Sequence, residues 1–171
     1  MEQEVNPHSY YSSRREKLLE SLFAGEVLRE LWRRGIYEVD LLHSDIDASG
    51  YDVVLELHNG VRHIQLKAST KRKLVVANAK ISDRSSGCII VMIVSEDTLN
   101  FTEFLWFGNE LCKPCPDIRT FPKARHTKGD ATGVKAKRQD TYKVSVGKFE
   151  RVTSFTSLVD RLISKLTLIH I

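Results

Sequence analysis

Two short apolar runs separated by Asn59-Gly60 constrain the fold more than any other feature of this chain. They cover residues 51–57 and 61–68, and apolar and polar side chains alternate along both. Asn-Gly suits the two central positions of a type I′ turn, because both positions need positive φ. The sequence therefore predicts a β-hairpin with Asn59-Gly60 as its two-residue turn.

The turn also predicts which residues of the hairpin face each other. His58 would pair with Val61, and counting back along the strands places Asp52 opposite Lys67. Side chains alternate across a strand, which gives the hairpin an apolar face of Val53, Leu55, Leu57, Ile64 and Leu66. The other face brings Asp52, Gln65 and Lys67 together. A solvated sheet face, with Asp52 and Lys67 as an exposed ion pair, would explain the same pattern without any function.

A helix predicted before the hairpin supplies a further acidic residue. Residues 12–34 begin at serines that can cap the helix, and Gly35 ends it. On a helical wheel the nearest neighbours of Glu26 are mostly apolar, so its carboxylate is expected to point along the apolar stripe. A carboxylate there is costly unless it is paired or bound to a metal. Lys67, or a divalent metal shared with Asp52, could supply the positive charge.

The rest of the chain predicts a mixed α/β domain around a central sheet. Strands are predicted over 36–42, 88–95, 101–107 and 141–146, and a final helix over 154–168. Residues 70–87 fit either a helix or a strand. The apolar stripe of the final helix indicates a core face, although it could instead form the interface of a homodimer. We expect a single domain over 1–171, with a core at about 12–107, a basic loop region at 108–140, and a C-terminal strand and helix at 141–171.

Composition indicates a globular domain without a membrane span. Hydrophobic residues make up 42% of the chain and charged residues 28%, which is ordinary for a folded soluble protein. The longest apolar run, Cys88–Val94, is far too short to cross a bilayer, and the first residues contain no apolar signal core. We expect a cytoplasmic protein that does not interact with membranes.

Positive charge is concentrated in one segment. Residues 1–112 carry a net charge of −4, whereas residues 113–151 carry +7, from 11 Lys/Arg against 4 Asp/Glu. Such a segment attracts polyanions, of which nucleic acid is the commonest in a cell. A solvated loop that only adds solubility is the alternative. The candidate nucleic-acid-binding residues are Lys123, Arg125, Lys128, Lys135, Lys137 and Arg138.

The cysteines leave two interpretations open. Cys112 and Cys115 form a single CxxC pair, which could bind zinc together with His126 and Cys88. The sequence contains no second closely spaced ligand pair, and an odd number of cysteines argues against a disulfide framework. Ordinary free thiols are therefore the favoured interpretation.

Three segments together resemble the PD-(D/E)XK nuclease superfamily. They are 24-AGEVLRELWRRG-35, 49-SGYDVV-54 and 64-IQLKAS-69, and their arrangement is similar to that of Mrr-type restriction endonucleases and archaeal Holliday-junction resolvases. The resemblance covers about residues 12–95. It implies a restriction-endonuclease-like fold, which is a mixed central β-sheet flanked by helices. It also implies Mg²⁺- or Mn²⁺-dependent hydrolysis of phosphodiester bonds in nucleic acid, with DNA as the expected substrate.

The resemblance further implies roles for individual residues. Asp52 would bind the metal, Gln65 would coordinate it through the amide oxygen, and Glu26 would complete the site from the helix. Lys67 would orient or activate the attacking water and offset charge on the phosphate. The chain departs from the family at Gln65, where an acid is usual, and at Tyr51, where proline is usual. Because some members only bind nucleic acid, a catalytically inactive binding or scaffold domain is the alternative.

Overall fold

The computed structural model describes residues 11–44, 49–125 and 137–163. Within these ranges the helices are α1 (Ser12–Arg33) and α2 (Phe155–Ile163). The strands are β1 (Val39–His43), β2 (Val53–Leu57), β3 (Gly60–Ser69), β4 (Val75–Asn78), β5 (Cys88–Val94), β6 (Phe101–Gly108), β7 (Lys123–Arg125), β8 (Lys137–Val144) and β9 (Glu150–Val152). Neither helix in these ranges is long and apolar enough to cross a membrane.

A six-stranded mixed sheet forms the centre of the fold, with the order β1-β2-β3-β5-β6-β9. β3 and β5 run parallel, and the other neighbouring strands run antiparallel. A parallel pair needs a crossover connection, and residues 70–87 provide it with β4 and a short 3₁₀ helix, Ala79–Asp83. β4 belongs to a separate three-stranded antiparallel sheet, ordered β4-β8-β7 and called the small sheet below.

β5 lies between two hydrophobic cores because both of its faces are apolar. All of its residues are buried. Cys88, Ile90, Met92 and Val94 belong to the core beneath the helices, whereas Ile89, Val91 and Ile93 belong to the core beneath the small sheet. The described part of the chain is therefore a mixed α/β fold with helices on one face of the large sheet and the small sheet on the other.

The two helices pack against each other on the large sheet. The buried residues of α2 are Leu158, Val159, Leu162 and Ile163. Arg34 ties the helices together, because its guanidinium donates to Asp160 Oδ1 over 2.6 Å and to the carbonyl oxygen of Thr156 over 2.8 Å. In its described part, the apolar stripe of the last helix is thus a core face.

The hairpin turn differs from the predicted one. Gly60 pairs with Leu57, so His58-Asn59 forms the turn and Gly60 begins β3. A Cβ atom on Gly60 would lie 3.3 Å from Cys112 Sγ, so this glycine serves close packing rather than the centre of the turn. The predicted turn position and strand pairing are therefore wrong.

The two faces of the hairpin are nevertheless as predicted. Val53 pairs with Ile64, which shifts the register from the prediction by an even number of residues. Because the side-chain period of a strand is two residues, this shift leaves every side chain on its predicted face. Continued past the end of β2, the same register places Asp52 opposite Gln65 rather than opposite Lys67.

A buried arginine interrupts the apolar face of the hairpin. Arg62 is fully buried, and its guanidinium carbon lies 5.4 Å from the centre of the Trp106 ring. The guanidinium donates to the carbonyl oxygens of Leu162 over 3.0 Å, Arg161 over 3.1 Å, Asn109 over 3.0 Å and Ser86 over 3.3 Å. Two of these carbonyls belong to the last turn of α2, where the negative end of the helix dipole favours a positive charge. Arg62 thus joins the hairpin to the last helix.

The region predicted as basic loops contributes to the small sheet. Its described residues include a 3₁₀ helix, Ile118–Thr120, and β7, and β8 begins at Lys137. Ile118 and Ala124 are buried, and β7 pairs antiparallel with β8. The prediction of loops is wrong for these elements, because a three-residue strand has too little periodicity to be recognised.

Candidate active site

An open edge on β3 creates the candidate site. β3 extends from Gly60 to Ser69, but β2 pairs with it only as far as Ile64. Asp52 precedes β2 and turns into the opening, where its Oδ2 accepts a hydrogen bond from the backbone N–H of Leu66 over 2.6 Å. The N–H and C=O of one strand residue face the same side of the strand, so the carbonyl group of Leu66 faces this opening too.

A cleft of about 310 Å³ lies between this opening and the small sheet. Its lining includes Gly50, Asp52, Gln65, Lys67, Asn78 and Thr141. Asp52 and Lys67 are the charged side chains of the lining. The ammonium group of Lys67 forms no hydrogen bond or ion pair with any residue in the described part of the chain. The cleft thus combines a carboxylate with an ammonium group that a ligand can contact.

Asp52 lies in an environment that opposes its negative charge. Burial is the largest cause and raises its pKa, and the carboxylates of Glu20 and Glu16 on α1 raise it further. The N–H of Leu66 and the ammonium of Lys67 lower it, but the net effect leaves the pKa of Asp52 above its ordinary value. A cation bound beside Asp52 would offset this cost.

On α1, Glu20 lies near enough to Asp52 to raise its pKa, whereas Glu26 pairs with Arg29. Glu20 is 8% exposed and belongs to the buried face of α1. Glu26 accepts a hydrogen bond from Arg29 Nη1 over 2.6 Å, and a third of its side chain is exposed. Three of the four predicted catalytic residues therefore line one cleft, and Glu26 is not among its lining residues. The spacing of Glu20 from Phe23 and Ala24, both buried, is the sequence signal that could have identified it.

Gln65 is 3% exposed, and both ends of its side-chain amide are hydrogen-bonded to the backbone. Nε2 donates to the carbonyl oxygen of Gly50 over 2.7 Å, and Oε1 accepts from the N–H of Asn78 over 3.0 Å. If the amide were flipped, its oxygen would face the carbonyl oxygen of Gly50, and two acceptors cannot form a hydrogen bond. These contacts therefore define the orientation of the Gln65 amide. Gln65 therefore joins the loop that leads to Asp52 to the end of β4.

Close packing holds the loop before the first hairpin strand. Gly50 has a φ of +80°, and a Cβ atom there would lie 2.6 Å from the Cβ of Lys80. The ring of Tyr51 lies 5.1 Å from the guanidinium carbon of Arg84 and 4.9 Å from the ring of His63. Tyr51, at the position where the resemblance would place proline, fixes the loop through these contacts.

Thr141 adds an unpaired hydroxyl group to the cleft. Its Oγ1 is buried and has no hydrogen-bond partner among the described residues. A buried polar atom without a partner costs free energy, which a ligand with a donor or acceptor could recover. No sequence pattern identifies this residue, because it reaches the cleft through the pairing of β8 with β4.

The donor groups at the cleft fit a hard divalent metal bound together with a substrate. Among the described residues, no group of three or more His, Cys, Asp or Glu side chains is arranged to hold a metal ion. Mg²⁺ is commonly held by one or two carboxylates, while waters and substrate phosphates complete its coordination. Asp52 can supply one carboxylate to such a metal, and its burial makes a compensating cation favourable. Glu20 pairs with Lys17 over 3.3 Å and is not among the residues that line the cleft.

The described cysteines are free thiols. Cys88 and Cys115 are buried, and Cys112 is exposed. Burial raises the pKa of Cys115 to about 12 and also raises the pKa of Cys88, so neither thiol is a nucleophile at neutral pH. His126, part of the zinc hypothesis, lies outside the described residues.

Two of the predicted nucleic-acid-binding residues belong to β7, the strand of the small sheet farthest from β4. Lys123 and Arg125 are exposed on β7, which β8 separates from β4. The ammonium nitrogen of Lys123 lies 5.7 Å from the centre of the Tyr142 ring. The other four are Lys137 and Arg138, which begin β8, and Lys128 and Lys135, which lie outside the described residues.

Comparison with known proteins assigns no family to the chain. No protein-family model matches it, and a search of curated proteins finds no match. Its function is therefore inferred from the geometry of the cleft.

Proposed function

We propose that the chain is a metal-dependent nuclease of the PD-(D/E)XK type, with a restriction-endonuclease-like fold, that hydrolyses phosphodiester bonds in DNA. One observation carries the proposal. The carboxylate of Asp52 and the unpaired ammonium of Lys67 line one cleft at the open edge of β3. Metal-dependent hydrolysis of a phosphodiester uses a metal-binding carboxylate and a positive charge that faces the reacting phosphate, and this cleft offers both.

Each residue of the cleft has a separate role in this proposal. Asp52 would hold Mg²⁺ or Mn²⁺, which when bound would polarise the phosphate and lower the pKa of a coordinated water. The ammonium of Lys67 has three N–H donors, which bind a phosphate oxygen and orient the attacking water. Gln65 holds the loop that carries Asp52, since both ends of its amide are bonded to the backbone.

A second candidate function is nucleic-acid binding without cleavage, and Gln65 favours it. Its neutral amide brings no negative charge to the cleft, and its oxygen already accepts from Asn78. Metal affinity would then depend on fewer carboxylates than a typical nuclease of this type uses. In this alternative, the cleft binds phosphate through Lys67 and does not hydrolyse it.

A cleavage assay with matched variants separates the two functions. Supercoiled, linear, single-stranded and four-way-junction DNA are incubated with Mg²⁺ or Mn²⁺. Lys67→Met and Asp52→Asn remove the charges of the cleft, and the asparagine keeps an oxygen that can accept from Leu66. We expect metal-dependent cutting that falls about 100-fold or more in both variants.

Controls for this assay lie on the exposed surface. Lys148→Met and Asp97→Asn change the same residue types at exposed positions and are expected to cut like the original chain. Equal loss in these controls would show that charge alone, and not the cleft, controls cutting. Binding without cutting on every substrate would support the non-catalytic function.

A further inference from the structure

The cleft continues into a second cavity along β3 and β4. This cavity has a volume of about 230 Å³, and its lining shares Lys67 and Val76 with the cleft. It extends to Ser69, Lys73 and Leu74. The two neighbouring cavities, together called the groove below, are lined by residues from Asp52 past Lys67 to Lys73.

We propose that the connection between β3 and β4 binds the phosphodiester backbone of a nucleic acid through Lys71 and Lys73, and so leads the strand to Lys67. The inference rests on the proposed function only for the identity of the polyanion. It assigns phosphate contacts to a segment outside the basic region at 113–151. It is therefore tested by binding, independently of cleavage.

The charges along the groove favour a polyanion. Lys73 lines the second cavity, and Lys71 precedes it by two residues in the same connection. Both lysines are exposed, and neither ammonium group forms an ion pair with a residue in the described ranges. Asp52 is the one acidic side chain among the described residues that line the two cavities. Positive groups in a groove with low-dielectric walls raise the local concentration of anions.

Contacts of Arg72 and of the Lys71 backbone order the connection that carries the two lysines. Between them, Arg72 turns towards Glu103, and its Nε and Nη2 donate to the two carboxylate oxygens over 2.5 and 2.9 Å. The hydroxyl of Ser69 donates to the carbonyl oxygen of Lys71 over 2.7 Å. A connection that is already ordered loses little conformational entropy when it binds a ligand.

The apolar wall of the groove favours a nucleic acid over a small anion. Leu74 is 49% exposed and Val76 is 36% exposed, and both line the groove beside Lys73. Sugar and base faces can cover such side chains, whereas inorganic phosphate cannot. The groove therefore offers contacts to both the charged and the apolar parts of a nucleotide chain.

The exposed residues of β7 do not line either cavity of the groove. β7 is two strands from β4 in the small sheet, which corresponds to about 10 Å between their backbones. Lys123 and Arg125 can thus be replaced as a separate pair. This gives the experiment a comparison between the two basic surfaces.

The salt dependence of DNA binding tests the proposal. A short labelled duplex and a single strand of the same length are titrated in EDTA, which prevents cutting, at several NaCl concentrations. Each lost phosphate contact on duplex DNA reduces the slope of log K against log salt by about 0.9. We expect Lys71→Gln/Lys73→Gln to reduce this slope by about 2 units, and Arg29→Gln/Arg33→Gln, at exposed positions of α1, to leave it unchanged.

The outcomes separate this inference from the proposed function. An unchanged slope in Lys71→Gln/Lys73→Gln, with a reduced slope in Lys123→Gln/Arg125→Gln, would overturn it even if the chain cuts DNA. A reduced slope would support it even if the chain does not cut. Equally tight binding of poly-glutamate, with the same loss in the variant, would assign the groove to an acidic protein and overturn the inference.

Discussion

The side-chain nitrogen of Gln65 donates a hydrogen bond to the carbonyl oxygen of Gly50 over 2.7 Å. The carbonyl oxygen requires a donor, so an amide fits this position and an ionised carboxylate does not. The PD-(D/E)XK resemblance would place an acid here. The contact with Gly50 therefore gives a physical reason for glutamine, and it indicates that restoring the acid would disturb the site.

Gln65→Glu tests this reason directly. At neutral pH we expect a loss of about 1–3 kcal/mol in the free energy of unfolding, because an ionised carboxylate would face the oxygen of Gly50. The introduced carboxyl would have a raised pKa in the folded state, so its stability contribution is present below its unfolded pKa and is lost as the pH rises through the folded pKa. Urea unfolding at acid and neutral pH measures the difference, with Gln139→Glu on an exposed position as the control. A neutral-pH gain in stability with Mg²⁺ would instead make residue 65 a metal-binding position.

The raised pKa of Asp52 predicts that the free energy of unfolding also depends on pH through this residue. Its pKa is raised, first by burial and then by Glu20 and Glu16, so its stability contribution is present below its unfolded pKa and is lost as the pH rises through the folded pKa. Asp52→Asn is therefore expected to be at least as stable as the original chain at neutral pH, with no advantage in acid. Thermal unfolding across pH measures this, and a loss of stability at neutral pH in the variant would contradict it.

Metal binding provides a further readout at the same residue. Mg²⁺ at ten times its Kd would stabilise the original chain by about 1.4 kcal/mol. The same concentration is expected to have little effect on Asp52→Asn, and its full effect on the exposed control Asp97→Asn. Equal stabilisation of all three chains would show that the metal binds elsewhere.

Gly50 and Gly25 differ in the space that is available for an added Cβ atom. Gly50→Ala places a Cβ atom 2.6 Å from Lys80 Cβ at a φ of +80°, and we expect a loss of about 1–3 kcal/mol together with reduced cleavage. Gly25 lies within α1 with nothing within 4 Å of its added Cβ, so Gly25→Ala should stabilise the chain by about 0.5–1 kcal/mol. Denaturant unfolding and the cleavage assay check both, and the same sign of change in the two variants would contradict the packing argument.

Arg62→Met tests the buried guanidinium. The variant leaves four carbonyl oxygens, including those of Leu162 and Asn109, without the donors of Arg62. Because these oxygens lose hydrogen bonds, we expect a loss of at least about 3 kcal/mol in the free energy of unfolding. Arg33→Met is the control, because 65% of the Arg33 side chain is exposed, and its expected change is within about 0.5 kcal/mol. Equal changes in the free energy of unfolding for the two substitutions would show that the buried hydrogen bonds of Arg62 do not stabilise the fold.

Long periodic segments could be predicted from the sequence. The helix expected at 12–34 is Ser12–Arg33, and the strand expected at 88–95 is Cys88–Val94. Each has an apolar pattern that depends only on neighbouring residues. The small sheet could not be predicted in this way, because its short strands pair with distant parts of the chain, as Val75 does with Val144.

The candidate site was predictable in part for the same reason. Asp52, Gln65 and Lys67 line one cleft, as the alternation within the hairpin indicated, and the register shift did not alter their face. The effect of Glu20 on the pKa of Asp52 depends on how α1 is rotated against the sheet. The position of Thr141 in the cleft depends on the pairing of β8 with β4. Neither property is contained in a local pattern.

The contact between Arg62 and the end of α2 has a consequence during protein synthesis. The guanidinium and one of its acceptors, the carbonyl oxygen of Leu162, are 100 residues apart in the chain. On the ribosome the hairpin emerges well before this acceptor exists, so its positive charge must stay hydrated until α2 follows. A nascent chain that stops before α2 can offer Arg62 only the carbonyl oxygens of Ser86 and Asn109, so two of its four acceptors are missing.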